Sequence, residues 1–241
     1  MTPQLRKEAA TATGTSDRLG NAAVAALGGT PPHVERGPVS PVRWLLPPAL
    51  SRWVASFDRS VETGFDQLRG RRHVDRLFYT ASALADYSLL WHLAGTGRAL
   101  LSAQHERQAL RLGVALGVES VAINVGVKSL FRRTRPRRQE HKRHALRQPR
   151  SSSFPSGHAT SGFMAATLLS EGQPRWRRVG WHGLASVVAA SRVHVGIHHP
   201  SDVVAGALIG TGLGHLVRRY WRAELADGTP SAVRLVLSER L

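Results

Sequence analysis

Three short stretches of this chain hold residues whose types and spacing could handle a phosphate. The first is Lys128-Ser-Leu-Phe-Arg-Arg-Thr-Arg135-Pro136, with one cation closing an apolar segment and another seven residues on. Proline disfavours helical geometry in the residue before it, so the chain is expected to leave its helix at Arg135. Lysine as a point charge and arginine as a planar fork can then converge on phosphate oxygens from a helix end and a loop. Alone this signal is weak, because basic residues commonly flank membrane helices. The second stretch is Ser153-Phe154-Pro155-Ser156-Gly157-His158, followed by an apolar run from Ala159. Ser156 fits a helix N-cap. Free N–H groups at a helix N-terminus bind anions, Gly157 permits close approach, and His158 on the first turn is placed to donate a proton. A capped helix carrying an interfacial histidine would read the same way.

The third stretch is Ser191-Arg192-Val-His-Val-Gly-Ile-His198-His-Pro-Ser-Asp202. Pro200 and Ser201 mark a further helix start, with Asp202 near its first turn and His198 just before it. Asp202 is expected to accept a hydrogen bond from one ring nitrogen of His198. That fixes the tautomer and leaves the other nitrogen free as a nucleophile. Arg192 supplies a third cation for the phosphate. His194, His198, His199 and Asp202 are dense enough to raise a metal site, but the chain has no cysteine and no histidine–glutamate–histidine helical pattern. The expectation is no metal and no cofactor.

The elements that must position these residues are helices. Apolar segments lie near 77–100, 109–131, 157–171, 178–195 and 202–218. A spanning helix needs roughly 20 mostly apolar residues, and the first two segments reach that length. Asp86, His92, Arg111, Glu119 and Lys128 fall in or near these two and should face protein rather than lipid. Gly113 and Gly117 are four apart, as are Gly206, Gly210 and Gly214, a spacing that lets helix backbones approach closely. No strand alternation or long internal repeat is evident. The fold class expected is all-α, a membrane-embedded bundle of spanning or near-spanning helices.

Around this bundle, residues 1–40 are rich in Thr, Ala, Gly and Pro without periodicity and read as a flexible leader. It is a poor secretory signal. Residues 41–69 carry Trp44, Leu45, Leu46, Trp53, Phe57, Val61, Phe65 and Leu68 among charges. Pro47 and Pro48 should break them into short amphipathic pieces at the membrane interface, or they form a surface helix on the bundle. The bundle domain is taken as 41–222, with 223–241 a C-terminal tail.

A net charge of +17 admits nucleic-acid binding, attachment to anionic lipid, or a phosphate-handling site. From Arg132 to Arg150 the chain holds nine Lys or Arg and one Glu. A nucleic-acid-binding protein would explain that run, but not three ordered phosphate motifs beside apolar segments. The run also lacks interleaved aromatics for base stacking.

Taken together and in this order, Lys-x6-Arg-Pro, Pro-Ser-Gly-His and Ser-Arg-x5-His-x3-Asp resemble the three signatures of the type 2 phosphatidic acid phosphatase superfamily. That superfamily includes lipid phosphate phosphatases, bacterial acid phosphatases and vanadium-dependent haloperoxidases. The resemblance is strong over 128–202 and extends as helical pattern from about 58 to 218. It implies that His198 is the nucleophile, with Asp202 as its orienting partner. It further implies that His158 protonates the leaving alcohol and later activates water, and that Lys128, Arg135, Ser156, Gly157 and Arg192 cradle the phosphoryl oxygens. His199 stands where relatives commonly carry an aromatic.

The implied activity is metal-independent hydrolysis of a phospholipid or polyprenyl phosphate or diphosphate through a phosphohistidine. The implied setting is an integral protein of a bacterial plasma membrane, with lipid and lipid phosphate as partners and no nucleic acid. A vanadium haloperoxidase is the nearest rival, and membrane-length helices argue against it. All three motifs must meet on one membrane face. The basic residues of that face lean toward the cytoplasm by the positive-inside rule, although several of them are expected to bind substrate.

Overall fold

The computed structural model describes residues 47–101, 103–131, 133–136 and 151–221. The leader 1–40, the basic run over 137–150 and the tail 223–241 lie outside them. The described residues form helices α1 (Pro48–Asp66), α2 (Arg72–Leu84), α3 (Leu89–Ala99), α4 (Ala103–Val121), α5 (Gly157–Leu169), α6 (Arg175–His194) and α7 (Pro200–Tyr220). No strand occurs among them, as the periodicity predicts.

Two departures from the sequence expectations bear on the site. The 77–100 segment is not one helix: α2 and α3 are separated by a 3₁₀ turn at Asp86–Ser88, with Tyr87 and Ser88 both in the left-handed region. Of the 41–69 stretch, the described residues from 47 on form one helix that begins at the two prolines. Pro47 is the N-cap of α1 and Pro48 its first residue, where a missing N–H costs nothing. α1 is amphipathic. Trp53 and Phe57 stack on its outer face, centroids 5.8 Å apart, while Asp58 is buried on its inner face.

The 109–131 segment is continuous, because α4 runs on through a π-helical stretch, Ala122–Val127, into a last turn at Lys128–Leu130. His105–Leu130 is one helix long and apolar enough to cross a membrane. Its polar residues behave unequally. Arg111 and Glu119 are buried, Lys128 is half-buried, and His92 on α3 is exposed. At the far end of the bundle, Arg111 donates to the Trp221 carbonyl at 2.9 Å and pairs with Glu171, which fastens α4 to the ends of α5 and α7.

The core forms where α3, α4, α5 and α6 meet, around Trp91, Leu112, Leu116, Met164, Ala165, Ala166, Ala185 and Val188. The most extensive helix contact is α5 on α7. Glycine explains it. A Cβ at Gly210 would sit 2.1 Å from the Thr160 carbonyl oxygen, and one at Gly206 2.6 Å from that of Ser156. The Gly206, Gly210, Gly214 row is therefore the contact stripe, as its spacing predicts. The Gly113 and Gly117 pair is not: a Cβ at Gly117 would meet nothing within 4 Å, and one at Gly113 only the His92 ring at 3.9 Å. Small-residue spacing permits close packing but does not choose which face is packed.

Because backbone cannot yield as a side chain can, Gly210→Ala is expected to push α5 from α7 and to destabilise the protein by at least the ~1–3 kcal/mol typical of overpacking. Thermal unfolding in detergent checks this, with Gly117→Ala as a control expected to be neutral or slightly stabilising.

Candidate active site

Four helix ends meet at one end of the bundle: the last turn after α4, the N-termini of α5 and α7, and the C-terminus of α6. Backbone hydrogen bonds tie them together. Ser156 N–H donates to the Asp202 carbonyl at 3.1 Å, joining the first turns of α5 and α7, and Ser153 N–H donates to the Arg133 carbonyl at 2.9 Å. After α6 the chain reverses at Gly196, whose φ of +68° suits only glycine without strain. That reversal lets the N–H groups of Ile197 and His198 return to the Arg192 carbonyl. It carries His198 back over the site.

The structure brings His198, Asp202, Arg135, Arg192, His158, Ser156, Gly157 and Lys128 to this one end. His198 is buried. Its Nδ1 lies 2.7 Å from the Ser153 carbonyl oxygen, which can only accept, so Nδ1 carries the proton. Nε2 is then the lone-pair nitrogen, and it faces the Arg135 guanidinium at 3.2 Å. Burial pushes the imidazole down to about 3, against the pull of Asp202 and with Arg135 adding to the effect. At neutral pH the ring is uncharged, the form a nucleophile requires.

The expected hydrogen bond from His198 to Asp202 is replaced. Asp202 Oδ2 is 3.7 Å from Nδ1, and the Ser153 carbonyl takes its place as acceptor. The reason is competition for the carboxylate. Asp202 Oδ2 already accepts from the Ser153 hydroxyl and from the His199 N–H at 2.9 Å, while Oδ1 accepts from Arg133. Asp202 thus acts on His198 through charge and by holding the Ser153 segment in place.

The cradle residues fall into two groups. Arg135 is braced by the carbonyls of Ser151, Ser152 and Ile197. Arg192 is buried, donates to Ser82 on α2, and stands 4.0 Å from Asp86. Lys128 donates to Asn124 Oδ1 at 2.8 Å within the π-helical stretch, and its Nζ would lie 3.7 Å from a Cβ at Gly157. Ser156 is the N-cap of α5, yet its side chain makes no capping bond. Its buried hydroxyl has no partner among the described residues. A buried hydroxyl left open beside helix N–H groups is what a phosphate oxygen would use. His158, in the first turn of α5, places Nε2 2.9 Å from Asp86 Oδ1.

Some residues that build the site carry no signal in the sequence. Arg133 lies inside a basic run, indistinguishable there from its neighbours, yet it is buried between two carboxylates. It pairs with Asp202 and, at 2.6 Å, with Asp58 of α1. Asp58 also accepts from the backbone N–H and the hydroxyl of Ser201, both at 2.8 Å, and so caps α7 from outside the helix. Neighbouring histidines turn away from His198. His194 pairs with Asp75 of α2 and His199 with Glu62 of α1, each at 2.8 Å. Among the described residues no group of three His, Cys, Asp or Glu could hold a metal ion.

Comparison with known proteins agrees with this architecture. The PAP2 superfamily model matches residues 108–225. The chain is 33% identical over 138 residues to the decaprenylphosphoryl-5-phosphoribose phosphatase of Mycobacterium tuberculosis, covering 56% of this chain and 74% of that protein. It is 39% identical over 69 residues to the undecaprenyl-diphosphatase of Sulfolobus acidocaldarius, covering 29% and 34% of the two chains. Among solved structures, Aquifex aeolicus LpxE superposes with a TM-score of 0.51 at 25% identity, over 67% of this chain and 94% of that one. A transmembrane PAP2 type phosphatidylglycerolphosphate phosphatase from Bacillus subtilis gives a TM-score of 0.56 at 20% identity, over 72% and 89%. The chain belongs to the PAP2 superfamily. Asp58, Ser82 and Asp86 all lie outside the segment matched by the family model.

Removing the Arg133 charge would leave Asp58 and Asp202 buried without their shared partner. Arg133→Gln is therefore expected to destabilise the protein by ~3–5 kcal/mol, the usual cost of breaking a buried pair on one side. Unfolding of the variant beside Asp58→Asn/Arg133→Gln checks the origin of the loss, since the double change removes one of the orphaned charges and should recover part of it.

Proposed function

We propose that this protein is a membrane lipid phosphatase that transfers the phosphoryl group of its substrate to His198 and then to water, without a metal. The observation that carries this is the state of His198: neutral, its Nδ1–H held by a carbonyl, its Nε2 turned to an arginine. In a lipid phosphate complex the phosphoryl group takes up Arg135, Nε2 attacks phosphorus, and the bond to the leaving oxygen breaks. His158 gives that oxygen a proton and the alcohol leaves. His158 then takes a proton from water, which attacks the phosphorus–Nε2 bond and frees inorganic phosphate. Charge on the equatorial oxygens is met by Lys128, Arg135 and Arg192, the Ser156 hydroxyl and the N–H groups opening α5. Such fixed donors stabilise the transition state without reorganising.

The membrane setting is supported by the outer face of the long helix. Leu110, Val114, Val118, Val121 and Val125 line one stripe of it, all exposed. In water such a stripe would be an open apolar patch, and a bilayer covers it. We assign the substrate to the phospholipid or polyprenyl phosphates. The phosphatases similar to this chain are named for polyprenyl-linked and lipid A phosphates. All of these present a phosphate at the membrane surface, where the site lies.

His198→Ala is expected to abolish turnover, and His158→Ala to retain phosphate binding while losing ~10²–10⁴-fold in rate, the usual contribution of a general acid. Phosphate release by purified variants, with orthovanadate affinity as the binding measure, tests both roles. Substantial activity in His198→Ala would remove the nucleophile assignment. Release from a panel of phosphatidic acid, undecaprenyl phosphate and undecaprenyl diphosphate, with a chelator present, is expected to show activity on at least one. Loss of activity on chelation would overturn the metal-free mechanism.

A further inference from the structure

We infer that Asp86 is a positioning residue for the acid step: it holds the His158 ring and keeps its protonated form available to the leaving group. This rests on the role proposed above for His158. Asp86 Oδ1 lies 2.9 Å from His158 Nε2, a contact spanning 72 residues of sequence, and 4.0 Å from the Arg192 guanidinium. With Nε2 occupied by a carboxylate, Nδ1 is the ring nitrogen left to exchange protons. The Nε2 proton stays on the ring, donated to Asp86 throughout, so only the Nδ1 proton moves, first to the leaving oxygen and then back from water.

Charge explains why such a partner is needed. Burial above all, and then Arg192 and Lys128, hold the His158 imidazole below its ordinary range, and Asp86 acts against them. The two cations are what a phosphate requires, and both disfavour an imidazolium beside them. Among the described residues Asp86 is the one carboxylate in hydrogen-bond contact with His158. Aspartate and histidine in this arrangement also fix the ring plane, as a carboxylate does for a catalytic imidazole elsewhere.

Local backbone geometry supports the assignment independently. Asp86 opens the turn that breaks the 77–100 segment, and the next two residues, Tyr87 and Ser88, adopt φ values of +54° and +57°. Consecutive left-handed non-glycine residues are strained, and such strain persists only where surrounding contacts hold it. Ser82 and Asp86, one helical turn apart, address Arg192 and His158 respectively. Tyr87 is the exposed consequence, with its ring outside the protein.

The test is leaving-group dependence, which a merely structural role would not alter. Wild type, Asp86→Asn, Asp86→Glu, His158→Ala and the Asp86→Asn/His158→Ala double variant are compared as full-length proteins. The substrates are a long-chain alkyl phosphate, whose alkoxide needs a proton, and a chain-substituted nitrophenyl phosphate, whose phenolate does not. Asp86→Asn is expected to lose ~10²-fold in kcat on the alkyl ester and about tenfold or less on the aryl ester, with orthovanadate affinity and KM little changed. Asp86→Glu should recover part of the alkyl activity, and the double variant should be no slower than His158→Ala alone. Equal losses on both esters, additive losses in the double variant, or a parallel loss of vanadate affinity would each overturn the inference while leaving the acid role of His158 intact. If His158→Ala shows no leaving-group dependence, the acid assignment itself fails and Asp86 falls with it.

Discussion

The buried carboxylate of Asp202 is the interaction on which the rest of the site depends. It is fully enclosed and accepts from Arg133, from the Ser153 hydroxyl and from the His199 N–H. A buried charge is tolerated only when paired and hydrogen-bonded, so those donors cannot drift. Each belongs to a different part of the site. Arg133 comes from the segment after α4, Ser153 from the segment before α5, and His199 from the turn before α7. One carboxylate therefore fixes the three motif-bearing segments relative to one another, and His198 inherits its position from all of them.

Arg133 extends this constraint to α1. By pairing with Asp58 as well as Asp202, it makes the N-terminal helix part of the catalytic end rather than an ornament on its surface. Asp58 in turn caps α7 through Ser201, and Glu62, one turn further along α1, holds His199. α2 is used in the same way. Asp75 holds His194, Ser82 meets Arg192, and Arg69 in the turn before α2 donates to the carbonyls ending α6. The helices outside the shared family segment thus grip the back of a site whose proposed phosphate-binding residues come from within it.

Opposite demands meet at the two histidines. The nucleophile role proposed for His198 needs a neutral ring, and full burial beside Arg135 keeps it so. The acid role proposed for His158 needs a proton to give, though burial and the nearby Arg192 and Lys128 act against its charge. A single fold answers both by giving the first a neutral carbonyl partner and the second a carboxylate.

By itself the sequence determined the helical class, the order of the three motifs whose residues the fold gathers at one end of the bundle, and the glycine row of α7. Local rules suffice for these. Helix starts follow from Pro and Ser and face-sharing from a spacing of four, whereas the exit after α4 comes earlier than the proline rule places it: the helix ends at Leu130 and Phe131 is already extended, short of Arg135. Spacing fixes which residues leave one element together, and that much is read along the chain. What only the tertiary structure decided is which partner each polar group takes. Asp202 and Ser153 both offered an oxygen to His198, and the carbonyl received the proton because the carboxylate was already engaged by three other donors. Arg133 looked like any residue of a basic run, and Asp86 like one more charge in an apolar segment. Their partners lie 69 and 72 residues away. Buried polar groups choose among all donors and acceptors that packing brings within about 3 Å, and no local pattern encodes that choice.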